Sequence, residues 1–180
     1  MKTFFIADSH FSHTNIIKYE NRPFNNVEEM DNVMIEKWNN KVSKGDNVYI
    51  IGDFILSGVK RAIEIIDKLN GNFYMINGNH DRVLKSSILK SKFAWIKDYA
   101  SIKVNNVNVI LCHYPFEVWD KSHYGSINIY GHIHSNPCIR HPKSNQYNAG
   151  VDINNFEPVT LEELIENNKI WINNNKFIDE

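Results

Sequence analysis

The sequence predicts an α/β fold with a largely parallel sheet, and three observations predict it. Strand-like apolar runs alternate with helix-like segments through the first half. Along the whole sequence, five such runs end abruptly in polar residues. The chain has 180 residues, 42% of them hydrophobic, enough to bury a substantial core within a single domain spanning residues 1–180.

The elements follow in order. "KTFFIADSH" reads as a short buried strand over Thr3 to Ala7 that stops at Asp8, Ser9 and His10. From Asn26, Met30, Val33, Met34 and Trp38 recur at helical spacing behind a capping box of Asn26 and Glu29. "NVYIIGDF" is a second strand, closed by Gly52 and Asp53. In "VKRAIEIIDKLNG", Ala62, Ile63, Ile66 and Leu69 share a helix face that ends at Gly71. "NFYMINGNHD" is a third strand, and "RVLKSSILK" behind it is helix-like.

The second half changes style. "SIKVNNVNVILCH" reads as two strands about an Asn105-Asn106 hairpin turn, the second strand ending at His113. "SINIYGHIH" runs into Gly131 to His134, "QYNAGVDI" offers another strand, and "TLEELIENN" another helix. The tail "KIWINNNKFIDE" is expected to form a last strand or hairpin.

Composition excludes several classes. A formal net charge of -1 gives no global basic field for nucleic acid, although a local patch remains open. Cys112 and Cys138 are too few for a disulfide framework or a thiolate zinc cluster. No run approaches membrane-spanning length, and the start turns polar too early for a secretory signal. The expectation is a cytoplasmic protein without membrane association; nothing specifies an oligomeric state.

Open α/β sheets gather their sites at the carboxyl ends of strands, where separate loops converge. Here those ends carry "DSH", "GD", "GNHD", "CHY" and "GHIH". Carboxylates among imidazoles form a nitrogen and oxygen donor set, which suits manganese, iron or zinc in an open site better than a closed thiolate site.

In these residues the chain resembles the calcineurin-like metallophosphoesterases, whose pattern is Asp-x-His, Gly-Asp, Gly-Asn-His-Asp/Glu, a lone His and Gly-His-x-His in that order. "FIADSHFSHTNIIKYENRPF" and "NAGVDINNFEPVT" are similar to the small bacterial and phage branch. The resemblance implies a four-layer α/β/β/α sandwich, two β-sheets flanked by helices, and a dinuclear site. One divalent ion would be held by Asp8, His10, Asp53 and His134, and the second by Asp53, Asn79, His113 and His132, with Asp53 bridging. Manganese is the first expectation, with iron, zinc and nickel as alternatives. A metal-bridging hydroxide would attack the phosphate ester, His80 would act as general acid, and Asp81 would either orient His80 or cap the helix behind it.

Weaker signals complete the expected site. His13 is placed either at its rim as a substrate contact or against a helix; Arg22 and Arg82 are candidates for bidentate phosphate contact. Asn148 is a candidate pocket residue, while His123 and His141 fall in surface-loop sequence. Tyr114, Phe116, Trp119 and Tyr124 either stack on a base or pack their loop onto the core. The expected partner is a small phosphate ester, more a diester than a monoester because no added arginine clamp for a dianion is evident. A phosphomonoesterase or nuclease on the same site is the alternative, and a non-catalytic metal-binding scaffold the more distant one.

Overall fold

The computed structural model describes residues 1–136 and 142–175; Cys138, His141 and the end of the tail, "KFIDE", lie outside the described residues. Strand β1 is Thr3–Ile6, followed by helices α1 (Thr14–Tyr19) and α2 (Val27–Lys41), strand β2 (Asn47–Ile51), helix α3 (Val59–Ile66) and strand β3 (Asn72–Ile76). A 3-10 turn (Arg82–Lys85) and short helix α4 (Ser87–Lys90) lead to β4 (Phe93–Lys97). The second half contains β5 (Tyr99–Val104), β6 (Val107–Cys112), β7 (Ile127–Tyr130), β8 (Gln146–Asn148) and α5 (Leu161–Asn174).

Two four-stranded sheets result, ordered β1-β2-β3-β4 and β5-β6-β7-β8. All pairings in the first are parallel. In the second, β5 and β6 are antiparallel, and β6, β7 and β8 run parallel. Helices flank the pair, so the architecture is the expected α/β sandwich.

Strand alternation explains the layers, because successive side chains point to opposite faces. Phe4, Ile6, Val48, Ile50, Phe73 and Met75 enter one core beneath α2 and α3. Phe5, Ala7, Ile51 and Ile76 point the other way and meet Val109, Leu111, Ile127 and Ile129 of the second sheet. The first three strands therefore read as unbroken apolar runs. They all release their chains at one edge.

Local signals worked where they had a backbone mechanism. Asn105 and Asn106 adopt φ of 48° and 67°, and Val104 pairs with Val107 across them, the twist a two-residue hairpin needs. Asn26 accepts a 2.8 Å hydrogen bond from the Glu29 amide, but Glu29 reaches back to the amide of Asn25 instead of Asn26. The expected capping box is thus shifted by one residue.

Two expectations need correction, and one strand carries no sequence expectation. Helix α3 stops at Ile66, before Gly71. Strand β4 escaped notice because it is an edge strand with a register shift against β3. The segment expected as a last strand continues α5 to Asn174: Leu161, Leu164, Asn168 and Trp171 form its buried stripe, behind a capping box of Thr160 and Glu163. Helical spacing and a good cap outweighed the weak propensity of an asparagine-rich segment. Among the described residues, no helix is long and apolar enough to cross a membrane.

Candidate metal centre

The five strand ends meet. Asp8, His10 and His134 each offer a donor atom, all within 4.8 Å of one another, and Asp53, His113 and His132 do the same. Asp53 lies between the two groups: its Oδ2 is 3.5 Å from His10 Nε2 and 3.5 Å from His113 Nε2. Asn79 Oδ1 stands 3.0 Å from that same His113 nitrogen. All seven expected ligand residues therefore share one location.

Their backbones are unusual. Asp8, His10, Asp53, His132 and His134 have φ of 54°, 49°, 52°, 72° and 52°. Left-handed backbone at a residue other than glycine costs on the order of 1 kcal/mol. These five residues turn the chain sharply beyond the ends of β1, β2 and β7 and aim their side chains at a common point.

Glycines make room for this convergence. A Cβ at Gly78 would overlap the Asp53 carboxylate, one at Gly52 would overlap the His113 ring, and one at Gly131 would stand 2.6 Å from Asp8 Oδ2. The glycine before Asn79 therefore serves less as turn punctuation than as clearance for the shared carboxylate.

Burial sets the electrostatics. Asp8 is pushed up to about 7 chiefly by burial, against the pull of His134 and His113; both its oxygens accept the His132 amide, at 3.0 and 2.8 Å. Burial likewise lowers the pKa of His10, with Asp53 opposing. For Asp53, burial alone would raise the pKa, but the hydrogen bond and charge of His113, the His80 amide and His10 more than offset it.

Two features fit a bound cation. His10 Nε2 is buried with no hydrogen-bond partner among the described residues, although it faces a carboxylate. His113 pairs Nδ1 with the Ile51 carbonyl at 3.0 Å, which makes Nδ1 the donor and leaves Nε2 as the nitrogen that could ligate a cation. Asp, His and Asn donors around these nitrogens match the oxygen and nitrogen set that divalent cations take.

A brace that sequence reasoning missed supports the first group. Asp152 Oδ2 accepts from His134 Nδ1 at 2.8 Å, the carboxylate–histidine arrangement that orients a metal-ligating ring. Arg22 grips Asp152 through Nε at 2.8 Å and NH2 at 3.1 Å. Its remaining donors reach the carbonyls of Ser9 and Asp8 and the Met30 sulfur. Glu20 completes a further group with His134 and Asp152.

Arg22 must therefore be corrected as a phosphate contact: it is 4% exposed, and all its donors face the protein. Asp81 is corrected too. Its carboxylate accepts the amides of Asp53 at 2.7 Å, Phe54 at 2.9 Å and Gly78 at 2.8 Å. It neither contacts His80 nor caps the following turn with its side chain; it shapes the loop that presents Asp53.

His80 is exposed, its ring 5.6 Å from that of His10, and its amide donates to Asp53 Oδ1 at 2.9 Å. His13 occupies the rim, with Nδ1 3.4 Å from His10 Nδ1. Arg82 is exposed beside Asn79. Asn148 is wholly buried and donates to the His134 carbonyl at 2.7 Å, so it supports the site rather than lining it. Trp119 packs inward, whereas the Tyr114 ring lies 4.7 Å from His132.

The calcineurin-like phosphoesterase superfamily domain matches residues 1–154. The chain belongs to this superfamily. The matched region takes in all seven candidate ligands and also Asp152 of the brace. Within the curated proteins, an uncharacterized protein of Methanocaldococcus jannaschii, MJ1445, is 40% identical over 179 residues, covering 94% of each chain. The Gene 66 protein of Mycobacterium phage L5 is 28% identical over 180 residues, covering 83% of this chain and 86% of its own. The crystal structure of AQ665 from Aquifex aeolicus, a protein of unknown function, superposes with a TM-score of 0.72 at 25% identity, covering 91% of this chain and 97% of that one. The chain is thus similar over 83 to 94% of its length to each of these three.

Proposed function

We propose that the chain is a metal-dependent phosphoesterase that hydrolyses a small phosphodiester. The observation that carries this reading is the position of Asp53 Oδ2, 3.5 Å from an imidazole nitrogen of each group in a side chain 2% exposed. One carboxylate serves both groups. Asp8, His10, Asp53 and His134 would hold one divalent cation, and Asp53, Asn79, His113 and His132 the other. Bound there, the cations would supply Lewis acidity to a phosphoryl oxygen and acidify water at neutral pH.

The chain's own residues supply orientation and the proton. Asp152 and the Ile51 carbonyl hold His134 and His113 through their Nδ1 atoms. Asn79, a neutral ligand, limits the negative charge of the set. His80 gives its proton to the departing ester oxygen, and its amide bond to Asp53 Oδ1 keeps that acid in register with the shared carboxylate. His13 lines the rim. Since every Arg22 donor is occupied within the protein, it offers no clamp for a monoester dianion, which favours the diester.

The donor set is hard to borderline and contains no thiolate, so manganese is the first choice, with iron, zinc or nickel as substitutes. The test is a chelator-stripped and metal-reconstituted protein assayed on cyclic nucleotides, linear diesters and monoesters, with bound metal measured by elemental analysis. Activity should require two equivalents of divalent metal and be highest on a diester. Full activity without bound transition metal would overturn the reading.

A further inference from the structure

A cavity of about 600 Å³ adjoins Gly78 and Asn79. Three cations line it, Arg82, Lys85 and Lys90, together with the apolar side chains Leu84, Phe93 and Ile96. Arg82 and Lys85 stand three apart on a 3-10 turn, where side chains at that spacing eclipse one another. Both therefore project in one direction. Lys90 ends α4 directly behind them.

These charges lack local neutralisation. The neighbouring Lys92 pairs with Asp67 at 2.6 Å, but Arg82, Lys85 and Lys90 have no carboxylate partner among the described residues. The acid lining the cavity is Asp81, whose oxygens already accept three backbone amides. A concave space of ligand size with cationic walls and an apolar floor is built for an anion carried on a compact ring.

We propose that this cavity takes a second phosphate of the substrate, so that the substrate class is a small phosphodiester bearing another phosphate, as on a nucleoside. The proposal rests on the phosphoesterase reading for the first phosphate: the ester to be cleaved lies at the metal centre, and the adjoining phosphate lies among Arg82, Lys85 and Lys90. Three cations on a chain of net charge -1 suit one extra phosphate rather than a long strand.

The test is calorimetric binding to the metal-loaded protein of thymidine monophosphate, of thymidine phosphorylated on both hydroxyls, and of a short oligothymidylate. The bisphosphate should bind about tenfold more tightly than the monophosphate, an advantage that shrinks with added salt. Lys85→Ala with Lys90→Ala should abolish the advantage, and Lys85→Arg with Lys90→Arg should keep it, which separates charge from folding. Equal affinities in the wild type, or an advantage that survives loss of both lysines, would overturn the proposal. So would affinity that keeps rising with oligonucleotide length. Hydrolysis of bis-p-nitrophenyl phosphate, which has no second anion, is measured on the same preparations. No hydrolysis with the bisphosphate advantage intact removes the catalytic reading alone, whereas hydrolysis without the advantage removes the cavity proposal alone.

Discussion

The two halves of the candidate metal centre share Asp53 but differ in how the protein holds them. Asp8 and His10 are buried, and His134 is tied through Asp152 to Arg22, whose side chain is fully enclosed. In the other half His113 is buried, while Asn79 and His132 are exposed. A buried charge network holds one half rigidly; the other meets solvent and the cationic cavity. The difference teaches that one carboxylate joins a half enclosed by a buried ion pair to a half that meets solvent.

The strongest way to break this comparison is to remove what the halves share. Asp53→Asn withdraws charge from both groups at once, so kcat should fall at least about 10³-fold, equivalent to about 4 kcal/mol of barrier. His10→Ala, which touches one group, should cost less. Metal content and kcat measured on the same preparations decide it; equal losses would mean that Asp53 belongs to one half only.

His80 comes next, because it is exposed while its amide is fastened to Asp53. An aryl leaving group such as p-nitrophenolate departs with little help, whereas an alkoxide needs a proton. His80→Ala should therefore lose little on p-nitrophenyl esters and about 10² to 10⁴-fold on alkyl esters, the usual range for general acid catalysis. Equal losses across leaving groups of graded pKa, at full metal content, would show that His80 positions phosphate instead.

The brace is the third target. Asp152→Asn weakens the orientation of His134 and leaves Arg22 buried without its charge partner. Metal affinity at the Asp8 half should fall about 10 to 100-fold, and stability should drop by about 3 to 5 kcal/mol. Adding Arg22→Met removes the stranded charge and should recover much of the stability without recovering the metal affinity. Asn79→Ala, on the exposed half, should weaken metal binding with little change in melting temperature. Metal titrations paired with thermal denaturation would separate the two behaviours, and a Asp152→Asn protein with unchanged metal affinity would remove the brace from the site.

What could be read from sequence follows this division. Asp8, Asp53, Asn79, His113 and His134 were visible because each stands at or just beyond the end of an apolar run, where a parallel sheet delivers its side chains to one edge. Asp152 was not, because its meaning depends on Arg22, 130 residues away, and neither neighbourhood marks a buried ion pair. Arg22 consequently looked like a phosphate cation and Asp81 like a partner of the adjacent His80. Both are occupied by backbone or carboxylate groups that only the folded loops bring near. Helix α5 was read short for a similar reason: its buried Asn168 has no apolar signature, although its side chain bonds both the amide and the carbonyl of Asn148.

That last contact provides the smallest and sharpest comparison, since it links α5 to the braced half. Asn168 holds Asn148, and Asn148 in turn donates to the His134 carbonyl, so the helix reaches a candidate ligand through two asparagines. Thr160, at the start of the same helix, caps the Glu163 amide at 3.3 Å and faces away from the site. Thr160→Ala should cost about 1 kcal/mol, lowering the melting temperature by about 2 to 4 °C in a domain of this size, with metal affinity unchanged. Asn168→Ala leaves the buried amide of Asn148 without its partner, while the carbonyl keeps Asn154 Nδ2, costing about 1 to 3 kcal/mol. It should also weaken metal binding at the Asp8 half, by less than Asp152→Asn does. If both substitutions lowered stability and neither altered metal affinity, α5 would be packing alone, and the rigidity of that half would end at Asp152.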